Sequence, residues 1–225
     1  MSLASASALL STPPALILQR VGQSRGGRPL FEGLDLALHA GELLWVRGVN
    51  GSGKTSLLRL VCGLARPRAG RVHVAQELLY IGHRPGLKEV LTVVEQLRSS
   101  AALAGQACSE ADALAALAPV GLEEAAGLSL SQLSEGQRRR AALARLWLPR
   151  VAPLWVLDEP LAALDAAMAD RLAQRLDRHA GEGGSVVFTS HQALPLKRPV
   201  RSLDLGVCAA VGMARVEAGN GGGKT

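Results

Sequence analysis

The chain contains few cysteines and few aromatic side chains, and it lacks any long apolar run. Its 225 residues include three Cys, two Phe, three Trp and one Tyr. The cysteines are odd in number, lie far apart and show no C-x-x-C spacing, which argues against a disulfide framework and favours a reducing compartment. At no point does the sequence offer the roughly 18 successive apolar residues of a membrane span, so we do not expect it to cross a bilayer unaided.

The N-terminal segment also lacks the features of a signal peptide. It reads "MSLASASALLSTPPALIL", with no positive charge before its apolar part and with Pro13 and Pro14 interrupting that part. We predict a disordered N-terminal extension over residues 1–14, one globular domain over 15–215, and a flexible Gly-rich tail over 216–225.

Apolar runs and turn residues predict an α/β layout. Predicted strands are separated by Gly or Pro turns and lie near 15–21, 34–38, 42–47, 71–74, 78–81, 153–158 and 185–191. Predicted helices lie over 54–64, over much of 87–150, and over 165–180, where Gly181 ends the last one. Capping boxes at Ser109 and Asp112, and at Ser134 and Gln137, mark two helix starts within 87–150. The segment "VRSLDLGVCAAVGMARVE" predicts an edge hairpin. The order of elements indicates a sheet core with a helical subdomain inserted between core strands.

The stretch "GVNGSGKT" matches the phosphate-loop pattern G-x-x-x-x-G-K-[ST] in full. A predicted strand precedes it and a predicted helix follows it, so its glycines can turn successive N–H groups toward phosphate oxygens at a helix N-terminus. We expect Lys54 to bridge the outer phosphates of ATP and the Thr55 hydroxyl to bind Mg²⁺. The candidate nucleotide-binding residues of this loop are Gly48, Val49, Asn50, Gly51, Ser52, Gly53, Lys54, Thr55 and Ser56.

Two later strand ends supply the other groups that phosphoryl transfer needs. "LWVLDEP" ends an apolar strand with Asp158 and Glu159, and "SVVFTSH" ends the next one with His191. We predict that Asp158 holds Mg²⁺, usually through water, and that Glu159 is the base that orients the attacking water. His191 would contact the γ-phosphate. Solvated acids at a strand end are the alternative interpretation, which the upstream phosphate loop disfavours.

The five residues "LSEGQ" at 133–137, taken with these motifs, indicate a family. Over about residues 15–210 the sequence resembles the nucleotide-binding domain of ABC transporters. The resemblance implies an α/β P-loop NTPase core with an antiparallel β subdomain and with a helical subdomain at about 87–150. In that family two such domains stack head to tail, and the phosphate loop of one faces the signature loop of the other across ATP.

The head-to-tail arrangement assigns roles to residues far from the phosphate loop. Ser134 as N-cap and Gly136 in the first turn present a hydroxyl and N–H groups at a positive helix end. By resemblance, Ser134, Gly136 and Gln137 would touch the partner's γ-phosphate, and Asp165 in "LAALD" would lie in the D-loop across the dimer. The family's usual adenine-stacking aromatic is missing before Phe31, and the Arg25 guanidinium is the candidate replacement.

One position in "YIGHRPG" departs from the family pattern. ABC domains normally carry Gln in this loop, where the present chain has His83. The phrases "GHRPGLKEVLTVVEQL", "LSEGQRRRAALARLWL" and "LWVLDEPLAALD" resemble the ATP-binding subunits of cytochrome c maturation haem exporters. Its place in the motif order assigns His83 to the nucleotide site, beside the γ-phosphate. A haem-ligand role is disfavoured, since the chain has no C-x-x-C-H and no apolar aromatic pocket around this residue.

The resemblance implies an ATP hydrolase with ATP and Mg²⁺ as ligands. It would form a homodimer on separate integral membrane subunits, as a peripheral protein at the cytoplasmic face of a bacterial inner membrane, and it would bind no nucleic acid. ATP hydrolysis would drive either haem export or the release of a haem-loaded chaperone, and the sequence does not choose between them.

Three alternatives deserve comparison with this interpretation. One is the ATPase subunit of another ABC transporter. The second is a soluble ABC-type ATPase that acts on nucleic acid, a class with which the net charge of +6 is compatible. The latter proteins usually carry a coiled-coil insert or tandem ATPase domains, and neither is present here. The run 138–140, "RRR", is the nearest feature to a basic patch, and we expect it to face solvent, the dimer seam or lipid headgroups. A small-molecule P-loop kinase is excluded because it has no role for "LSEGQ".

Overall fold

The computed structural model describes residues 13–84, 86–206 and 216–219, and it shows two sheets with helices packed around them. The strands are β1 (Leu16–Arg25), β2 (Arg28–Leu38), β3 (Leu43–Arg47), β4 (Ala69–Val74), β5 (Leu78–Ile81), β6 (Leu154–Leu157), β7 (Ser185–Thr189), β8 (Val200–Asp204) and β9 (Val216–Gly219). The α-helices are α1 (Lys54–Val61), α2 (Val93–Leu103), α3 (Glu110–Leu117), α4 (Glu135–Leu143) and α5 (Ala166–Gly181). Short 3₁₀ turns cover Ala118–Val120, Leu130–Gln132 and Ala144–Trp147.

The larger sheet has the strand order β5-β6-β7-β3-β8-β9 and is parallel except at β9. Every residue of β6 and β7 is buried, as expected for parallel strands covered on both faces. The smaller sheet, β2-β1-β4, is antiparallel. Since β3, β6 and β7 run in the same direction, the residues that follow them meet at one edge of the sheet, where α/β proteins commonly bind ligands.

Three apolar clusters hold these layers together. One joins the antiparallel sheet and α1 to the first face of the parallel sheet, with Phe31 and Leu57 among its members. A second lies on the opposite face, where Trp155 of β6 packs near Leu172 of α5. The third belongs to the helical subdomain and includes Leu97 of α2. The α/β architecture predicted from the sequence is confirmed.

The predicted capping boxes are confirmed, whereas two helix ends differ from prediction. The side chain of Ser109 accepts a hydrogen bond from the Asp112 N–H at 3.0 Å, and that of Ser134 accepts one from the Gln137 N–H at 3.2 Å. Helix α1 ends at Val61 instead of near 64, because Gly63 adopts a left-handed conformation (φ 68°). Helix α5 includes Gly181, and Gly183 (φ 91°) follows its C-cap.

The two ends of the chain are described only in part. Most of the predicted extension, residues 1–12, lies outside the described residues, as does the link at 207–215 within the predicted edge hairpin. Strands β8 and β9 pair antiparallel at the sheet edge. The prediction of a flexible tail over 216–225 is wrong for β9 (Val216–Gly219). This segment is ordered as a strand because its backbone pairs with β8. The domain boundaries otherwise remain a prediction. No helix among the described residues is long and apolar enough to cross a membrane.

Candidate nucleotide-binding site

The phosphate loop connects β3 to α1 and depends on glycines with positive φ. Gly48 has φ 142° and Gly53 has φ 102°, conformations that side-chain-bearing residues rarely adopt. A Cβ on Gly48 would also collide with the Ser52 hydroxyl, and one on Gly53 would lie 3.0 Å from the ring of Phe31. Substitution at either position would therefore distort the loop between β3 and α1.

The polar groups of the loop suit a phosphate ligand. Nζ of Lys54 donates to the carbonyl oxygen of Gly48 at 2.8 Å and to that of Val49 at 3.4 Å, so the ammonium group folds back over the loop. Oγ of Ser52 is buried with no hydrogen-bond partner in the part of the chain that the structure describes. An unsatisfied buried hydroxyl is costly, and phosphate oxygens would supply the missing partner.

The two acids after β6 lie beside the phosphate loop. The Thr55 hydroxyl donates to Oδ2 of Asp158 at 2.9 Å, and Asp158 as a whole is 1% exposed. The next residue, Glu159, accepts from the backbone N–H of His191 at 3.3 Å, and its Oε1 lies 3.5 Å from Nε2 of His191. The sheet edge thus brings Lys54, Thr55 and the two acids within one small region, with His191 at its rim.

The donor set at Asp158 fits a magnesium ion. Mg²⁺ prefers oxygen ligands and is usually held by one or two carboxylates together with waters and substrate phosphates. Thr55 and Asp158 supply a hydroxyl and a carboxylate oxygen in contact with each other. Among the described residues, no group of three or more His, Cys, Asp and Glu is placed to hold a metal ion. Mg²⁺ bound at Thr55 and Asp158 would take its other ligands from water and phosphate oxygens, as is usual for this ion.

The negative charge of Asp158 affects two neighbouring groups. Burial, with a further contribution from Asp158, raises the pKa of the Cys62 thiol to about 12. The same two causes raise the pKa of Tyr80. The Cys62 thiol is therefore protonated at neutral pH and is not a candidate nucleophile.

One cavity of about 280 Å³ unites most of the predicted site residues. Its lining consists of Arg25, Leu30, Val49, Asn50, Gly51, Gly53, Lys54, Thr55, Ser56, His83, Asp158, Glu159 and His191. His83, from the loop after β5, therefore lies at the same cavity as Lys54 although they are far apart in sequence. Arg25, the candidate adenine-stacking residue, and Leu30 come from the antiparallel sheet and form another part of the wall.

The lining of this cavity does not include the residues that were expected to act across a dimer, namely Ser134, Gly136, Gln137 and Asp165. Ser134 and Gln137 form the capping box of α4, and Gly136 packs so closely that a Cβ there would lie 3.1 Å from the carbonyl oxygen of Ala163. Asp165 caps α5 by accepting the N–H of Met168 at 2.8 Å. The structure therefore places these residues at two helix N-termini and not in the wall of the cavity that contains the phosphate loop.

Two residues of the site were not identified from the sequence. Thr189, at the end of β7, contacts Asp158 and Glu159, and its place at the same sheet edge as those acids was a usable signal. Arg139 is 4% exposed and donates to both of their carbonyl oxygens. The expectation that the whole run 138–140 faces outward is wrong for Arg139, because this side chain lies on the same face of α4 as the buried residues Ala142 and Leu143.

Comparisons with known proteins agree with this geometry. The ABC transporter family model matches residues 31–162. The cytochrome c biogenesis ATP-binding export protein CcmA of Aromatoleum aromaticum is 42% identical over 214 residues, covering 90% of this chain and 100% of that protein. Its namesake from Escherichia coli is 46% identical over 182 residues, covering 76% and 86%.

Solved structures share the fold. An ATP-binding cassette in a dimeric post-hydrolysis state, bound to ADP and Pi, superposes with a TM-score of 0.77 at 23% identity, covering 92% of this chain and 99% of that chain. A metal-chelate type ABC transporter in an inward-facing conformation gives 0.74 at 26% identity, covering 92% and 84%. The family model, the relatives and the shared fold together show that this chain belongs to the ABC transporter family, as a member of its ATP-binding cassette class.

Proposed function

We propose that the chain is the ATP-hydrolysing subunit of an ABC transporter complex that serves c-type cytochrome biogenesis. The observation that carries this proposal is the shared cavity in which the phosphate loop meets Asp158, Glu159 and His191. The relatives named as cytochrome c biogenesis ATP-binding export proteins support the biological setting. ATP hydrolysis would drive haem export or release of a haem-loaded chaperone.

Each group in the cavity has a role in hydrolysis. Lys54 would exchange its contact with the Gly48 carbonyl for the outer phosphates, and the loop N–H groups would bind the remaining phosphate oxygens. Thr55 and Asp158 would hold Mg²⁺, which neutralises charge on the phosphate oxygens when bound. Glu159 would accept a hydrogen bond from the attacking water and orient it in line with the γ-phosphate. His191, beside Glu159, would contact the γ-phosphate.

The remaining predicted residues would act across a dimer. Two copies would close head to tail, so that Ser134, Gly136 and Gln137 of one copy touch the ATP of the other, with Asp165 at the same seam. Hydrolysis would then reopen the pair. We further propose that the dimer sits on separate integral membrane subunits, peripherally at the cytoplasmic face of the inner membrane, with the His83 loop near the membrane partner. Nucleic acid has no role in this proposal.

The substitution Glu159→Gln tests the proposed base. The variant retains the shape of the side chain but removes the carboxylate, so ATP binding should persist while turnover falls by about 100-fold or more, as expected when a general base is removed. ATP should then trap the variant as a dimer, which size-exclusion chromatography with multi-angle scattering detects. Glu182→Gln, an exposed position after α5, is the matched control and should hydrolyse ATP normally.

The biological setting needs a separate test. A strain that lacks its own cytochrome c biogenesis ATPase should recover covalently attached haem in its c-type cytochromes when it receives this chain with its membrane subunits. The Glu159→Gln variant should not restore it. Normal ATP hydrolysis without recovery by the unmodified chain would favour the alternative, the ATPase of another ABC transporter.

A further inference from the structure

The backbone of Glu159 has an unusual conformation for a residue with a side chain. Its φ is +50°, in the left-handed region that residues other than glycine, asparagine and aspartate seldom adopt. Such a conformation persists only where surrounding contacts fix it, and it occurs preferentially at functional sites. The contacts that fix Glu159 should therefore decide where its carboxylate points.

Thr189 holds the N-terminal side of this residue. Its hydroxyl oxygen accepts the backbone N–H of Glu159 at 2.8 Å and donates its own proton to Oδ1 of Asp158, also at 2.8 Å. Thr189 is fully buried, and the second oxygen of Asp158 is occupied by the hydroxyl of Thr55. The hydroxyl of Thr189 therefore has one defined orientation, which links the backbone of Glu159 to the carboxylate that faces the phosphate loop.

Arg139 contacts the backbone on the C-terminal side of Glu159. Its Nη2 donates to the carbonyl oxygen of Glu159 at 2.6 Å and to that of Asp158 at 2.8 Å. Its Nη1 donates to the carbonyl oxygen of Gly82 at 2.8 Å, immediately before His83. One guanidinium from helix α4 thus ties the two acids to the loop that carries His83.

The charge of Arg139 is compatible with this role. Burial lowers the pKa of the guanidinium, while the charges of Asp158 and Glu159 act in the opposite direction. An arginine remains protonated under such conditions, so it keeps all of its N–H donors. Its planar, forked group can reach three carbonyl oxygens at once, which a lysine ammonium on a flexible stem cannot do with the same geometry.

We propose that Thr189 and Arg139 are positioning residues for ATP hydrolysis, which hold the two peptide groups of Glu159 so that its carboxylate faces the γ-phosphate. Neither side chain needs to touch ATP. The proposal rests on the proposed role of Glu159 as the base. It adds that the placement of this base depends on a hydroxyl from β7 and a guanidinium from α4.

Substitution of Thr189 provides the sharper test, because matched variants exist. Thr189→Val keeps the shape but removes the hydroxyl, and Thr189→Ser keeps the hydroxyl. With saturating ATP and Mg²⁺, we expect the Thr189→Val substitution to lower kcat by about 10- to 100-fold, as is typical when a supporting hydrogen bond to an active-site group is lost. The KM for ATP should change by less than about threefold under the same reasoning. The Thr189→Ser variant, which keeps the hydroxyl, should retain most of the kcat of the unmodified chain.

The companion test replaces Arg139. Arg139→Lys keeps the charge but not the fork, so we expect a fall in kcat of about tenfold or more with little change in ATP affinity. Arg178→Gln, on the exposed side of α5, is the control and should leave kcat unchanged. Melting temperatures, measured with and without ATP, identify variants that fail to fold. An Arg139→Lys variant that does not fold would assign Arg139 a structural role and overturn its part of the proposal, and the Thr189 pair would then decide the part that concerns the hydroxyl.

Defined outcomes overturn the proposal. A kcat for Thr189→Val within about threefold of the unmodified chain would show that the hydroxyl does not position the base. The proposal also fails if ATP affinity and melting temperature fall in parallel with kcat and Ser rescues none of them, because the role would then be structural. A kcat that recovers fully at high Mg²⁺ would assign the effect to Asp158 instead. Full turnover by Glu159→Gln would refute the proposed base itself, which the Thr189 variants alone cannot do.

Discussion

His179 should make the folded chain sensitive to mild acid, because its imidazole is buried and forms no ion pair with the residues that the structure describes. The ring stacks on Trp155 of β6, with ring centroids 3.6 Å apart and an interplanar angle of 7°, and its Nε2 lies 3.0 Å from the carbonyl oxygen of Pro153. Burial, as the main cause, lowers the pKa of His179 from 6.5 to about 4, and the charge of Arg175 contributes in the same direction.

Proton binding at His179 determines whether acid stabilises or destabilises the folded chain. Between pH 6.5 and about 4, the unfolded chain binds a proton at this imidazole that the folded chain does not bind. The stabilisation is therefore complete above the unfolded pKa and is lost as the pH falls toward the folded pKa. Relative to neutral pH, the free energy of unfolding should fall by about 1 kcal/mol at about pH 5.5, and by about 2 kcal/mol at about pH 4.5, since residual solvent contact screens part of the effect.

Urea unfolding of the unmodified chain and of His179→Gln, measured across this pH range, tests the prediction. Glutamine does not titrate but retains an N–H donor for the Pro153 carbonyl, so the variant should show a flatter dependence of unfolding free energy on pH. Contributions from carboxylates common to both proteins cancel in the difference. His73→Gln, at an exposed position of β4, is the control and should keep the original slope. Equal slopes for the unmodified chain and His179→Gln would refute the reasoning.

Two further substitutions test the proposed roles of Lys54 and His83 in the nucleotide-binding cavity. Lys54→Ala should weaken ATP binding by about tenfold or more, because hydrogen bonds from a charged group contribute about 1.5–3 kcal/mol. Titration calorimetry against the exposed-site control Lys197→Ala checks this, and an unchanged affinity would contradict the phosphate-loop role. His83→Gln should retain most of the ATPase activity, because Gln is the family's usual residue in this loop. Normal ATPase activity with loss of a haem-dependent response would instead support a haem-ligand role for His83.

The features that were predicted correctly from the sequence are those that depend only on residues close together along the chain. The capping box of α4 requires only that Ser134 and Gln137 stand three residues apart, and the structure contains it. The exact end of α1 was less predictable, because the periodic apolar pattern continues past Val61 while the backbone turns at Gly63. Helix termination here depends on one backbone conformation, which composition alone does not fix.

The sequence by itself determined the phosphate loop, because the motif "GVNGSGKT" between a strand and a helix encodes a local backbone shape through its glycines. Only the tertiary structure decided which groups surround Glu159. Thr189 and Arg139 are 30 and 20 residues away along the chain, and their contacts exist because parallel strands end at a common edge while α4 packs against it. Arg139 precedes the apolar residues Ala142 and Leu143 by three and four positions, but this spacing does not reveal which carbonyl groups its guanidinium contacts. Its position depends on packing between elements, which sequence spacing alone does not specify.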